Sequence, residues 1–483
     1  MASLRNEAIK GMSWAAIEKF TSQAIAFILG IIMARLLSPA DYGVIGMTGI
    51  FIGIAGTLVD SGLGTALIQK KEKKKDDYST LFVFNFGIST LLYLILFIAA
   101  PWIAEFYKTP VLKDVTRVIT FQLVLNALFN AHYTKLRIDL QFKAMSIISL
   151  VSQIMTGCVG VFFAFIGWGV WALVWQTIFS CIIRGLMAVA YLKWWMPGTG
   201  FSKDSFRYLF GFGSKILASS LINTIYGNVY TLIIGKKFTP DEVGHYTRGG
   251  QLATFPANVT TDILVSVNYP ILARLQDDNA KLVNAYRKML TVPLFALYPI
   301  LVGMAVLGEP FIGLLLGEKW LPCVPFLQII AIGAMFTPLT HVNLNLLYVK
   351  GRTDLVLKLE IIKKTIAFSI VFLTIPFGII WMMVGKSCYD FIAFSINCHY
   401  TGKILGYGWK KQMKEILPII LKSLIMGAIV FAATFAIKGW WAKTLIGTGT
   451  GILVYFVIAW ITNDRNLREF LSILKEFTKK RRS

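Results

Sequence analysis

Long apolar runs constrain this chain more than any other feature of its sequence. The first pair occupies residues 11–37 and 44–68, and a short turn at residues 38–43 joins them. Each run exceeds the roughly twenty residues that a helix needs to cross the hydrocarbon core of a bilayer. The sequence therefore predicts that the two runs form a membrane-spanning helical hairpin.

The same pattern recurs along the whole chain. Of its 483 residues, 56% are hydrophobic and only 15% are charged, which is typical of a membrane protein with many spans. A window of about twenty residues finds about fourteen apolar spans. They centre on residues 11–37, 42–68, 79–103, 112–131, 144–166, 168–192, 206–235, 243–271, 289–307, 321–349, 355–376, 379–401, 414–437 and 443–462. The predicted fold class is an all-α polytopic membrane protein.

The positive charge of the chain lies mainly in alternate short loops between the spans. The formal net charge is +23, and the loop at residues 70–75 and the tail at residues 463–483 are both basic. Because basic loops stay in the cytoplasm, we expect both ends of the chain to be cytoplasmic. We expect no nucleic-acid partner, since no basic stretch forms a soluble domain of its own. The tail is expected to form a basic, partly amphipathic helix on anionic membrane lipids.

The sequence offers no site for a metal or another cofactor. Its five cysteines lie in or beside apolar runs without a Cys-x-x-Cys pair, and it has only four histidines, whereas metal sites need closely spaced ligands. The acid pairs at residues 76–77 and 277–278 are expected to be solvated loop charges. The loops on the predicted outer side are short and leave no room for a catalytic domain. We therefore expect a protein without a cofactor that is not an enzyme.

An internal repeat relates two halves of the chain. The turn Ser38-Pro39-Ala40-Asp41-Tyr42-Gly43 recurs as Thr239-Pro240-Asp241-Glu242-Val243-Gly244. In both copies a hydroxyl residue can cap a helix, proline fits its first turn, and an acid favours its positive end. Each copy joins the first two spans of a six-span block, which predicts two parallel repeats. The resulting domains are a six-helix lobe at residues 1–193, a cytoplasmic linker at 194–205, a second six-helix lobe at 206–401, two extra helices at 402–462 and the basic tail at 463–483.

Polar side chains recur at steps of three or four within several spans, so each of these helices has one polar face. Interhelical hydrogen bonding explains any single one of these residues, but several polar faces in equivalent spans favour a central aqueous cavity. A cation in that cavity could hold an anionic headgroup. The residues predicted to line the headgroup site are Lys19, Lys215, Arg248, Gln251, Asn223, Asn258 and Arg117.

Three acidic residues in the spans are candidates for binding a coupling proton or cation: Asp60, Asp262 and Glu18. Asp60 and Asp262 fall within one residue of equivalence in the repeat. Charged groups at membrane depth are costly and normally face a watery cavity or a partner. The alternative is therefore structural pairing, of Asp60 or Asp262 with cavity cations and of Glu18 with Lys19.

Three segments carry a resemblance to a known family. They read Ala-Arg-Leu-Leu-Ser-Pro-Ala-Asp-Tyr-Gly at residues 34–43, Asp-Ser-Gly-Leu-Gly-Thr-Ala-Leu-Ile-Gln at 60–69, and Leu-Leu-Tyr-Val-Lys-Gly-Arg-Thr-Asp at 346–354. Together with the span count and the repeat, they resemble the polysaccharide transporter family of the MOP flippase superfamily. The match is nearest to its Wzx-type branch, which includes colanic-acid and teichuronic-acid exporters.

The resemblance implies a MATE-like fold, with two six-helix lobes around a cavity that opens alternately to either side. It also implies a substrate, an undecaprenyl-diphosphate-linked oligosaccharide, that is moved across the bacterial inner membrane. In relatives the last two helices help to form a groove for the lipid tail. A coupling proton or sodium ion is expected, and polysaccharide polymerase or export machinery are candidate partners. The alternatives are a cation-coupled drug or toxin antiporter of the MATE class and a membrane glycan polymerase.

Overall fold

The structure is a computed structural model that describes residues 21–60, 62–275 and 278–480. Every regular element in these residues is a helix, and they contain no β-strand. The chain divides into two compact units, residues 1–247 and 248–483. The expected lobe boundaries at residues 193 and 206 remain a prediction.

The first unit is built from long helices that pack in pairs. Its elements are α1 (Thr21–Leu36), α2 (Pro39–Asp60), α3 (Leu63–Gln69), α4 (Lys75–Phe106), α5 (Leu112–Ile119), α6 (Gln122–Ile138), α7 (Phe142–Phe165), α8 (Val170–Tyr191), α9 (Lys203–Lys237) and the start of α10 (Pro240–Arg274). The largest helix–helix contacts join α7 to α8, α2 to α9 and α4 to α6. A small apolar core closes the junction of α3, α4 and α9, where Leu63, Leu81 and Leu209 are fully buried.

The second unit has an interior that contains several fully buried aromatic rings. Its elements are the rest of α10, then α11 (Asn279–Val306), α12 (Gly308–Leu315), a 3₁₀ turn (Glu318–Cys323), α13 (Val324–Ala334), α14 (Thr337–Val349), α15 (Thr353–Thr374), a second 3₁₀ turn (Ile375–Phe377), α16 (Ile379–Leu405), α17 (Trp409–Phe435), α18 (Trp440–Ile461) and α19 (Arg465–Lys480). Helix α11 packs against α13 and α17, and α17 packs against α18. Phe295, Tyr298 and Trp320 fill the interior with fully buried rings.

Ten helical segments among the described residues are long and apolar enough to cross a membrane, so the chain is a multi-pass membrane protein. Four of the expected spans do not reach that standard. The described part of α1 is short, span 112–131 is divided between α5 and α6, and α10 and α15 carry many polar residues. The count of about fourteen therefore stays a prediction.

The two copies of the repeated turn begin their helices in the predicted way. Asp41 accepts hydrogen bonds from the backbone nitrogen and the hydroxyl of Ser38, at 2.8 and 2.7 Å. In the second copy, Glu242 accepts the same two bonds from Thr239, at 2.8 and 2.9 Å. In return, the backbone nitrogen of Asp41 donates to the hydroxyl of Ser38 at 3.3 Å, and that of Glu242 donates to the hydroxyl of Thr239 at 3.4 Å. The capping chemistry predicted from the sequence is therefore confirmed in both copies.

The two helix starts also pack directly on each other inside the first unit. A Cβ atom added to Gly43 would lie 1.7 Å from the carbonyl oxygen of Pro240, and one added to Gly244 would lie 1.9 Å from that of Pro39. Real Cβ contacts are never that short, so both positions require glycine for the backbones to meet. The two copies of the repeated turn therefore contact each other reciprocally, the glycine of each against the proline of the other.

Two charged residues differ from the sequence expectation. Asp77 is fully buried rather than a solvated loop charge: it accepts a 2.6 Å ion pair from Lys70 and a 2.8 Å bond from the backbone of Lys74. Lys363 lies within the expected span at residues 355–376, where an unpaired cation is costly, yet it is only 4% exposed within α15 and pairs with Glu360. Both differences arise because a carboxylate and an ammonium can be buried once they are paired.

Candidate substrate-binding cavities

A polar cavity opens between α2 and α9 in the first unit. It has a volume of about 410 Å³. Asp60, Thr57 and Thr65 line it from the α2–α3 side, and Ser220 and Thr224 line it from α9. The hydroxyls of Thr57 and Thr224 are 2.8 Å apart and share a hydrogen bond. The cavity thus combines one carboxylate with several hydroxyl groups, which can bind a hydrated ion or a sugar.

Small residues on α2 explain why the two helices approach each other closely beside this cavity. A Cβ atom added to Gly53 would lie 3.2 Å from a side-chain carbon of Thr224 on α9, and one added to Gly46 would lie 3.7 Å from a side-chain carbon of Thr231 on the same helix. Glycines spaced along one helix face permit such approach. The contact of Gly53 indicates that this glycine serves helix packing. Gly56, one turn further on, has nothing within 4 Å and leaves the cavity open.

Asp60 lies at the point where the helical path is interrupted. Helix α2 ends at Asp60, and α3 begins at Leu63 after Gly62, whose φ is +70°. The carboxyl end of a helix carries partial negative charge, and interrupted helices of this kind coordinate ions in membrane transporters. Asp60 is exposed to the cavity. This arrangement suits a cation or a proton rather than an anion.

A second polar cluster lies in the other unit and contains the other acid of the predicted coupling pair. Asp262 on α10 is close enough to His341 on α14 to interact electrostatically. Glu360 and Lys363 on α15 form an ion pair, and both charges interact electrostatically with the same histidine. Asp262 is exposed. The sequence indicated His341 only as part of a polar helix face and gave no signal for Glu360 or Lys363.

The predicted headgroup residues are only partly brought together. Arg248 donates a 3.2 Å hydrogen bond to Gln251 one turn further along α10. Its positive charge also interacts electrostatically with the thiol of Cys323. Asn258 lies on the same helix and is exposed. Asn223 is exposed on α9 but is not among the residues that line the polar cavity.

Three predicted site residues are not tested by the described side chains. Lys19 and Glu18 lie outside the described residues, and Lys215 lies on α9 without a described side chain. Arg117, in contrast, has a clear local environment: its guanidinium stacks 4.6 Å from the ring centre of Phe97 and donates a 3.4 Å bond to that residue's carbonyl. A cation over an aromatic face is stabilised without any ligand.

Two further bases within the spans form ion pairs. The i,i+4 spacing of Lys386 and Asp390 predicts such a pair, and the structure confirms it at 3.5 Å. Lys422 on α17 pairs with Asp464, which lies between α18 and α19. These two cations therefore contribute little net charge to any cavity.

An acid near the start of α11 behaves as a loop charge. Asp278 accepts a 3.0 Å hydrogen bond from the backbone nitrogen of Lys281 and pairs with its ammonium at 3.1 Å. The backbone bond, reinforced by the ammonium, lowers the pKa of this carboxyl below its usual range. Asp278 thus caps the helix in its ionised form, as expected of a solvated loop acid.

In the described part of the chain, no group of three or more His, Cys, Asp or Glu residues could hold a metal ion.

An apolar cavity of about 440 Å³ lies in the second unit, between α11 and the last two membrane helices. Its wall is almost entirely hydrocarbon and includes Gly303, Leu307, Val430 and Phe456. The phenol of Tyr455 lies in the wall but donates its hydrogen to the carbonyl of Phe295 at 2.8 Å. Helix α19 borders the cavity through Phe470, whose ring centre is 6.2 Å from that of Phe295. A cavity of this size and character suits a segment of lipid chain.

The comparisons with known proteins agree with this architecture. The model of the family described as "Polysaccharide biosynthesis protein" matches residues 32–325. The teichuronic acid biosynthesis protein TuaB of Bacillus subtilis is 26% identical over 74% of this chain and 74% of its own length. The succinoglycan biosynthesis transport protein ExoT of Rhizobium meliloti is 21% identical over 96% of this chain and 95% of its own.

A solved structure gives the same result for the fold. The lipid II flippase MurJ in an inward closed conformation has a TM-score of 0.76, with 17% identity over 93% of this chain and 98% of MurJ. At that identity the likeness concerns the fold alone, and it confirms an all-helical architecture like that of MurJ. The family model spans more than half of the sequence, so the chain belongs to the polysaccharide biosynthesis protein family, as its resemblance to the polysaccharide transporters indicated.

Proposed function

We propose that this protein is a flippase that moves a polyprenyl-diphosphate-linked oligosaccharide from the cytoplasmic to the outer leaflet of the bacterial inner membrane. The product would supply capsule, exopolysaccharide or lipopolysaccharide synthesis. The observation that carries the proposal is the presence of two cavities of opposite chemistry in one membrane-spanning chain. The amphipathic substrate requires both, because its sugars are polar and its tail is hydrocarbon.

The relatives support transport rather than catalysis. TuaB and ExoT are named for the biosynthesis of two different surface glycans, and ExoT is named as a transport protein. A protein of this family would then act after the glycosyltransferases, on a finished lipid-linked glycan. The chain is accordingly a transporter and not an enzyme.

The residues divide into two proposed roles. Lys215 and Arg248, with Lys19 and Gln251, hold the diphosphate, since an Arg can chelate phosphate oxygens and a Lys supplies a point charge. Asn223 and Asn258 bind sugar hydroxyls by hydrogen bonding. Arg117 is the weakest member of the set because Phe97 already covers its guanidinium.

Asp60 and Asp262, with Glu18, would couple transport to a proton or sodium ion. Asp60 is the better candidate of Asp60 and Asp262, because it lines a cavity beside hydroxyl groups and lies at the negative end of α2. The lobes at residues 1–193 and 206–401 would alternate between inward and outward opening, with both ends of the chain in the cytoplasm. Polysaccharide polymerase or export machinery would receive the product.

The test is a flipping assay with the purified full chain in proteoliposomes. A polyprenyl-diphosphate oligosaccharide with an oxidisable terminal sugar is incorporated, and an impermeant oxidant reports the pool in the outer leaflet. The wild type should expose the inner pool, and the Lys215→Ala/Arg248→Ala double variant should not. Arg207→Ala is the matched control, since Arg207 is an exposed cation on α9 to which the proposal assigns no role.

Two results would contradict the proposal. The first is a folded wild-type protein that exposes no additional glycan in the presence of a proton or sodium gradient. The second is resistance to cationic drugs on expression without any effect on glycan export, which would favour the antiporter alternative. A glycan polymerase would instead lengthen the oligosaccharide, which chromatography of the recovered lipid would reveal.

A further inference from the structure

A third cavity, in the first unit, has a chemistry that neither of the two substrate cavities shares. It has a volume of about 250 Å³ and lies where α6, α7 and α8 meet. Two guanidinium groups, Arg137 at the end of α6 and Arg184 on α8, share its wall with the hydroxyl residues Tyr133 and Ser149. Phe142 adds an apolar ring to the lining. The cavity thus combines two cationic groups with apolar side chains.

The cavity supplies no internal counter-ion for these cations. Neither Arg137 nor Arg184 forms an ion pair with any of the described residues 21–60, 62–275 and 278–480. The nearby loop acid, Asp139, is paired instead with Lys135 at 3.0 Å. Two guanidinium groups that line one small cavity without a carboxylate repel each other unless an anion lies between them.

Arg184 lies well inside a membrane-spanning helix, where a charged group without a counter-ion is costly. It lies seven residues before the end of α8 at Tyr191, which at 1.5 Å per residue is about 10 Å along the helix. An arginine in a spanning helix normally reaches the interface or finds a partner there. The phenol of Tyr133 donates to the carbonyl of Arg184 at 3.0 Å and so holds α6 against α8 at this level.

We propose that this cavity binds the phosphate group of an anionic glycerophospholipid from the leaflet next to the basic loops. Two guanidinium groups can chelate phosphate oxygens in a bidentate manner, and the Ser149 hydroxyl can donate a further bond. The Phe142 side of the cavity accommodates the glycerol and the first methylene groups. Basic pockets between membrane helices on the cytoplasmic side are suited to anionic lipid headgroups. This site does not depend on the proposed transport activity.

The experiment titrates the purified full chain, in a neutral detergent, with phosphatidylglycerol and counts bound lipids by native mass spectrometry. The Arg137→Gln/Arg184→Gln double variant should lose one lipid of high affinity, with the apparent Kd raised about a hundredfold or more, because two charged contacts are lost. Arg207→Gln, which removes an exposed cation from α9, should keep that lipid. Equal loss in both arginine variants, or no loss in the double variant, would overturn the proposal.

Two further arms complete the test. The single variant Arg137→Gln changes an exposed residue at a helix end, so it tests the site even if the double variant does not fold. Phosphatidylcholine should bind without discrimination between the wild type and the variants. If millimolar inorganic phosphate displaces the phosphatidylglycerol, the site belongs to a soluble phosphate compound, and the lipid assignment is wrong.

Discussion

The polar cavity beside Asp60 and the apolar cavity beside α18 have nearly the same volume, about 410 and 440 Å³, but opposite walls. The first is bounded by a carboxylate and hydroxyl groups, some of which already bond to each other. The second contains a buried phenol whose hydrogen is already used by a backbone carbonyl. Under the proposed function, the sugars and the lipid tail of the substrate would be bound by separate parts of the chain.

The largest expected effect comes from filling the polar cavity. Gly56 lies in its wall with open space around it, so Gly56→Leu should fold and occupy the place of the substrate. Overpacking an occupied site costs about 1–3 kcal/mol, which corresponds to a flipping rate roughly fivefold to 150-fold lower. The proteoliposome assay measures this rate.

The control for this variant is Gly227→Leu. Gly227 lies on the facing helix α9, also has nothing within 4 Å and does not line the cavity. The Gly227→Leu variant should flip the lipid-linked glycan at the wild-type rate. If both leucine variants behave alike, the polar cavity is not part of the transport path.

Neutralising the carboxylate of the polar cavity should have the next largest effect. Asp60→Asn keeps the shape but removes the charge that would hold a coupling cation, and charged hydrogen bonds contribute about 1.5–3 kcal/mol. Gradient-driven flipping should fall about tenfold, whereas exchange without a gradient should change little. An equal loss with and without a gradient would assign Asp60 to substrate binding instead.

Filling the apolar cavity should have a smaller effect than filling the polar one. Gly303 lines it and has open space around it, so Gly303→Leu displaces a few methylene groups of a lipid tail. Each buried methylene contributes about 0.8 kcal/mol, but the displaced tail can return to the bilayer, so we expect flipping to fall only about threefold to fivefold.

Gly449 on α18 provides the matched control, because it has open space and is not in the cavity wall. Gly449→Leu should leave flipping unchanged. A Gly303→Leu effect as large as that of Gly56→Leu would break the distinction between the two cavities.

The smallest effect should come from Tyr455→Phe in the wall of the apolar cavity. This variant removes one buried hydrogen bond, which contributes about 1 kcal/mol to the free energy of unfolding, and leaves the apolar wall intact. Thermal denaturation should show slightly reduced stability while flipping is preserved. A marked loss of flipping would mean that the phenol contacts the headgroup.

Features encoded in short stretches of sequence could be predicted. The helix starts at Pro39 and Pro240 follow from the residues of the two turns, and the Lys386–Asp390 pair follows from its spacing. The family resemblance added the substrate class, which no single residue indicates.

Features that arise from packing between distant segments could not be predicted. The hydrogen bond between Thr57 and Thr224 depends on how closely α2 meets α9. The burial of Lys363 depends on where Glu360 and its neighbours lie, and the stacking of Arg117 depends on the end of α4. Charge alone therefore does not indicate which bases already have a partner within the protein.

The most direct test of the separate roles is photo-cross-linking in proteoliposomes, followed by mass spectrometry of the labelled peptides. One substrate carries the reactive group on a sugar, and the other carries it on a distal isoprene unit. The sugar probe should label α2 and α9 near Thr57 and Ser220, and the isoprene probe should label α11 and α18 near Gly303 and Thr448. Labelling of the same residues by both probes, or the reverse assignment, would contradict the account.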